Sequence, residues 1–269
     1  MTTPANGSTP AKRTAAKNTP AKRSTAAKST TGTTPDPAPS PERLAPAPTI
    51  AVALVCVPDE LSTSVLTASR QLDKHLKVRG SLYAGFWAVK VRPWQRRNLI
   101  GLRPGRPAYC AGGPLSMLDV AGMRHAAAFA AGIRHQQWNT VVHGTRAATP
   151  WPVFERRHLD NPPTYPLEQA REDFDAQPRV QAMRMHNAAN YGAARLDPRE
   201  LEMFQARQVA YQQYHSLLAT CFDAVHTAHD GEQLRPASDT FSDRITYLDN
   251  AARYLDTLDG DQRLVAVSL

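Results

Sequence analysis

From Ile50 to Val57, in a stretch bounded by Pro48 and Pro58, the chain reads Ile50-Ala51-Val52-Ala53-Leu54-Val55-Cys56-Val57, with no polar side chain. A half-exposed strand alternates apolar and polar residues; a continuous apolar run of this length, closed by prolines, reads as a strand buried on both faces. Such a strand needs neighbours on its edges and a packed layer on each face. The rest of the chain has to supply them.

Two further segments read as strands. Leu82 to Val91 carries Tyr83, Phe86 and Trp87, with Gly85 as a bulge. Arg263 to Leu269, with Leu264, Val265, Ala266 and Val267, is suited to pair with the 50–57 run. Elsewhere helical periods dominate. Leu61, Val65, Ala68, Leu72 and Leu76 recur at helical steps up to Gly80, and Ser116 to His143 is the longest window of this kind. That central helix has a Ser116/Asp119 start signal and Gly144 as terminator. Val120, Met123, Ala126, Ala127, Ala130, Ile133, Trp138 and Val141 gather on its apolar side. Arg124, His125, His135, Gln136, Asn139 and His143 gather opposite.

The proline-rich stretch from Gly144 to Pro166 reads as an irregular loop, followed by short helices over 167–176 and 179–190. Asp197-Pro198-Arg199-Glu200 has the N-cap, first-turn proline and acidic residue of a helix start. It predicts a long helix with a seam of Leu201, Phe204, Gln208, Tyr211, His215, Leu218, Phe222 and Val225. Phe241, Ile245, Leu248, Ala252, Leu255 and Leu258 supply a partner helix. The expected fold class is therefore α+β. A small sheet of about three strands, including a C-terminal one, is packed by a mostly helical C-terminal portion, and residues 49–269 form a single globular domain.

Residues 1–48 differ in kind. Met1 and Leu44 are their only large apolar residues, too few to offset the entropy of ordering, so the segment reads as a disordered tail. Thr9-Pro10-Ala11-Lys12-Arg13 recurs as Thr19-Pro20-Ala21-Lys22-Arg23. With Lys17 and Lys28 these give six cations before the first acid, Asp36. Opposite a nucleic-acid duplex they would displace condensed counterions. In composition the tail resembles the Lys/Ala/Pro tails of linker histones and some bacterial nucleoid proteins, which implies contact with DNA phosphates without reading of bases.

The net charge of +8 is unevenly laid out. Residues 49–110 hold ten Lys/Arg against three acids, whereas residues 111–269 hold fifteen against nineteen. Within the basic portion, Lys90, Arg92, Arg96, Arg97, Arg103 and Arg106 interleave with Trp94 and Tyr109, broken by Pro93, Pro104 and Pro107 and by no acid. Guanidinium forks bind phosphate and exposed aromatics stack on unpaired bases, so this is a second candidate nucleic-acid surface. The alternative is a loop whose aromatics pack inward and whose arginines pair with the acidic C-terminal half.

A different function class would use Arg124, His125, His135 and His143 as an enzyme pocket, since imidazoles titrate near neutrality. No phosphate loop, nucleophile elbow, zinc-protease helix or dinucleotide fingerprint supports a particular reaction, and no motif implies a cofactor. Cys221, His226 and His229 lack the spacing of a zinc site, and Glu172, Asp173 and Asp175 diverge on a helix, so no metal is expected. A third class is a docking module, forming a homo-oligomer or binding a partner through the Leu201–Val225 helix. Three scattered cysteines do not make a disulfide framework. With no signal-peptide core and no run approaching the roughly 20 apolar residues of a membrane span, the expected location is cytoplasmic. The leading expectation is a non-enzymatic nucleic-acid-associated protein.

Overall fold

The structure, a computed structural model, describes residues 50–57, 80–90, 92–227 and 232–269. The basic tail and the helix expected after Pro58 lie outside these residues.

The apolar run forms β1 (Val52–Val57), and it has the neighbours on both edges that its composition demands. Along one edge lies β8 (Arg263–Ser268), antiparallel from Val52 opposite Ser268 to Val57 opposite Arg263. Along the other lies β6 (Ala224–His226), parallel, with Ala53 opposite Ala224 and Val55 opposite His226. Beyond β8 are β2 (Ser81–Leu82) and β5 (Gly112–Pro114); beyond β6 is β7 (Gln233–Leu234). The sheet is thus six-stranded, more than the expected three or so. The additional strands are two or three residues long, too short to show a period. In β5, Gly112 comes so close to β8 that any Cβ would collide with the Leu264 carbonyl. Only glycine lets that pairing form.

Alternation along β1 divides the core. Leu54 and Cys56 join the helical side, with Leu264 and Ala266 from β8. Val55 and Val57 face the other way, with Ile100, Ala111, Val265 and Val267. The second expected strand is split: β2 belongs to the main sheet, whereas β3 (Phe86–Ala88) pairs with β4 (Ala108–Cys110) in a separate two-stranded sheet.

The central helix, α1 (Val120–Val141), begins one turn later than Ser116 suggests. Asp119 caps it through Gly122 N–H at 2.9 Å, while Ser116 sits in a preceding 3-10 turn. Its buried face also differs from the one expected. Met123, Ala131, His135 and Trp138 are buried, whereas Ile133 is 54 % and Phe129 66 % exposed. The reason is the approach of α6 (Gln208–Cys221) on the Gly132 side, where a Cβ would meet the Gln212 amide at 2.5 Å. The smallest residue, not the most apolar one, decides which side faces a neighbour.

The stretch after Gly144 holds a helix rather than an irregular loop: α2 (Trp151–Asp160). Pro152 lies in its first turn, where the missing N–H costs nothing. Trp151 and Phe154 pack edge-on against Phe174 of α3 (Leu167–Asp175). From α4 (Pro178–Ala189), Arg179 donates to Thr145 and to Gln205 and lies over the Trp138 ring.

The Asp197 cap is present, its carboxylate accepting from Arg199 N–H at 2.9 Å, but it opens only a 3-10 turn. The chain continues into α5 (Leu201–Gln205), breaks at Arg207 and resumes as α6, which ends at Cys221. Phe222 and Val225 therefore leave the expected helix: Val225 lies in β6. Both breaks are made by non-glycine residues at positive φ, Arg207 at 82° and Phe222 at 54°. The partner helix is α7 (Phe241–Asp256), capped by Thr240 and tied to the end of α6 by Tyr247, whose hydroxyl donates to the Cys221 carbonyl at 2.9 Å.

Candidate nucleic-acid interface

The basic segment between β3 and β4 is held by backbone pairing and by a few buried anchors. Its first turn, a 3-10 helix over Pro93–Asn98, starts at a proline, and the Gln95 side chain accepts from Arg92 N–H at 3.0 Å. The chain then dips inward at Leu99 and Ile100, both buried, and Ile100 exchanges backbone bonds with Gly112 and Ala111. It rises again through Arg103, which pairs with Tyr109 at 2.6 and 3.0 Å, and reaches a tip at Pro104-Gly105-Arg106-Pro107. Buried anchors alternate with outward residues. The cations are the outward ones.

Lys90, Arg92, Arg96, Arg97, Arg103 and Arg106 are all exposed. Among the described residues none of the six makes an ion pair; the ion pairs there involve Arg124, Arg134, Arg184 and Arg244. No described acid of the C-terminal half therefore pairs with these arginines. Trp94 is 61 % exposed, with the Arg92 guanidinium 5.3 Å from its ring centre, and Tyr109 is 41 % exposed.

A groove of about 870 Å³ opens within this segment. Lys90, Arg96 and Arg106 line it together with Ala88, Val89, Leu99, Leu102, Pro104, Gly105, Pro107 and Ala108, and no acid is among these residues. Ala88 and Ala108 are cross-strand partners on one face of the β3–β4 pair. Trp87 and Tyr109, the next pair, point to the opposite face by the period of two. The groove thus joins a three-cation rim to apolar walls. Of its members, Lys90, Arg96 and Arg106 were expected from the charge pattern. The apolar walls were not, because Ala88 and Leu102 become neighbours only when β3 and β4 pair.

The tail cations Lys12, Arg13, Lys17, Lys22, Arg23 and Lys28 lie outside the described residues. The four residues of the alternative pocket are not brought together. His125 and His143 are exposed at opposite ends of α1. Arg124 reaches Thr220 at 3.0 Å and Asp256 at 3.8 Å. His135, expected on the polar stripe, is buried among Trp138, Phe204 and Tyr211 and bonds the Phe204 carbonyl at 3.0 Å.

A partly buried ionisable cluster went unforeseen. Arg134 of α1 approaches Glu200 at 3.5 Å, and the Tyr211 hydroxyl donates to the same carboxylate oxygen at 3.1 Å. Burial raises the Glu200 carboxyl above the usual range, Arg134 opposing it. Burial and then the Glu200 charge raise the Tyr211 phenol. One turn along α6, burial and then Arg134 push His215 down to about 4, and its Nε2 has no hydrogen-bond partner. These groups tie α1 to the 3-10 turn that precedes α5 and to α6, and their convergence needs three elements that sequence spacing does not connect.

The expected docking seam is covered by the chain itself, since Leu201, Phe204, Tyr211, Phe222 and Val225 are all buried in the core cluster. Asp173 accepts from Tyr165 and Gln169, whereas Asp175 pairs with Arg184. Among the described residues no three His, Cys, Asp or Glu side chains converge as a metal site, and no helix is long and apolar enough to cross a membrane. The three cysteines are buried, and burial raises each thiol to about 11. Comparison with family models, with curated proteins and with solved structures finds no match for this chain.

Proposed function

We propose that this is a nucleic-acid-associated protein that holds the phosphate backbone on the segment from Lys90 to Tyr109, with the basic tail adding sequence-independent contacts. The observation that carries the reading is the state of the six cations. All six are exposed and have no ion pair among the described residues, and three of them, Lys90, Arg96 and Arg106, border a groove whose described lining holds no acid. An unpaired guanidinium keeps its fork of donors for phosphate oxygens and costs no broken bond when it binds. The enzyme reading has less support, because its four residues point to separate environments.

The test is binding of the full chain to DNA across a salt series, beside the Arg96→Ala/Arg97→Ala/Arg103→Ala/Arg106→Ala variant. The expected result is weaker binding at every sequence tested, with the salt slope reduced by up to about 3.6 if all four engage a duplex. Unchanged affinity and slope would remove this surface from the proposal.

A further inference from the structure

We infer that the groove seats unpaired nucleotides rather than a duplex, an inference that rests on the nucleic-acid reading above. Electrostatics alone does not explain its make-up: a site for backbone phosphate only would be cationic throughout, as a duplex presents charge outward and keeps its bases stacked inside. Here Lys90, Arg96 and Arg106 stand over walls made by Val89, Leu102 and the prolines at the tip. Its volume of about 870 Å³ is in the range of pockets that enclose a small organic ligand. A nucleotide of a single strand matches both parts, with its phosphate on the cations and its base against the apolar wall.

Trp94 extends the same logic. It belongs to the 3-10 turn that contributes Arg96 to the rim, and it stays 61 % exposed beside Arg92. The exposed indole gives the same segment a further face on which a second base can stack. The tail cannot supply such contacts, since residues 1–48 contain no Phe, Trp or Tyr. Any preference for exposed bases must therefore arise in the folded part.

The experiment uses the full chain and three labelled oligonucleotides of equal length: a single strand, the same strand without bases, and the duplex, read by fluorescence anisotropy. The single strand is expected to bind tighter than the duplex and about tenfold tighter than the abasic strand. Trp94→Ala and Leu102→Asn should each weaken the base-bearing strand several-fold and leave the abasic strand unchanged. Arg96→Gln/Arg106→Gln should weaken all three. If the duplex or the abasic strand binds as well as the single strand while the arginine variant still weakens them, the inference falls and the nucleic-acid reading stands. If no oligonucleotide binds, or the arginine variant changes none of them, both fall. The comparison of the three oligonucleotides needs no variant to fold.

Discussion

His215 shows how a single partly buried side chain links this fold to pH. Its folded pKa is depressed to about 4 from 6.5, chiefly by burial and then by Arg134. Above 6.5 both folded and unfolded chains hold it neutral. As pH falls below that value the unfolded chain gains a proton that the folded chain refuses, so stability drains away until about 4. The scale is at most about 3 kcal/mol. Glu200 acts with opposite sign: its raised carboxyl favours the folded state at low pH, and that contribution is lost as pH rises. His215→Gln should therefore flatten the acid limb of a denaturant-midpoint profile between pH 6.5 and 4, whereas Glu200→Gln should leave the His215 limb steeper. An acid limb unchanged in His215→Gln would mean that the imidazole is hydrated in the native state.

At the scale of elements, α6 is bounded at both ends by strained residues. Arg207 has φ 82° and ψ 153°, and Phe222 has φ 54° and ψ −152°, a region open essentially to glycine alone. The two sites should answer oppositely to the same substitution. The Arg207 side chain is exposed, so Arg207→Gly relieves strain at little packing cost and should stabilise by about 1 kcal/mol. Phe222 is buried edge-on against Phe86 at 5.2 Å, so Phe222→Gly should destabilise by about 3 kcal/mol despite the same relief. Chemical denaturation of the two variants measures both. These breaks also mark the limit of what sequence shows. β1, β8, α1 and α7 were legible because each has a long run or a clear period. The Phe222–Val225 stretch satisfied a helical period and still turned into loop and strand, because the parallel edge of β1 outweighed it. α2 was missed through reading a first-turn proline as a breaker. The cationic half of the groove was legible because its residues are consecutive; its apolar half joins residues on both sides of a strand pairing, and the His135 environment needed α5 and α6 in place.

For the whole molecule, the decisive pairing is that of β1 with β8. The Gln262 side chain donates to the Val57 carbonyl across 205 residues, and β8 lies between β1 and the pair β2 and β5. Removing β8 therefore opens the middle of the sheet, not its edge, and exposes both core layers. A chain stopped after Asp261 should fail to show a cooperative thermal transition, and Val265→Asp should be severely destabilised by a buried, unpaired carboxylate. A cooperative transition in the shortened chain would show that β1 tolerates an open edge.

That pairing also has a consequence during synthesis on the ribosome. Of the described strands β1 is made first, yet its edges are filled only by β6 and β8, which are made much later. Until then a six-residue apolar ribbon waits with unpaired backbone groups, the kind of segment that recruits strands from other chains. The nascent protein thus passes through an aggregation hazard before its sheet can close, and its yield should depend on translation speed and on chaperones that hold such ribbons more than its final stability suggests.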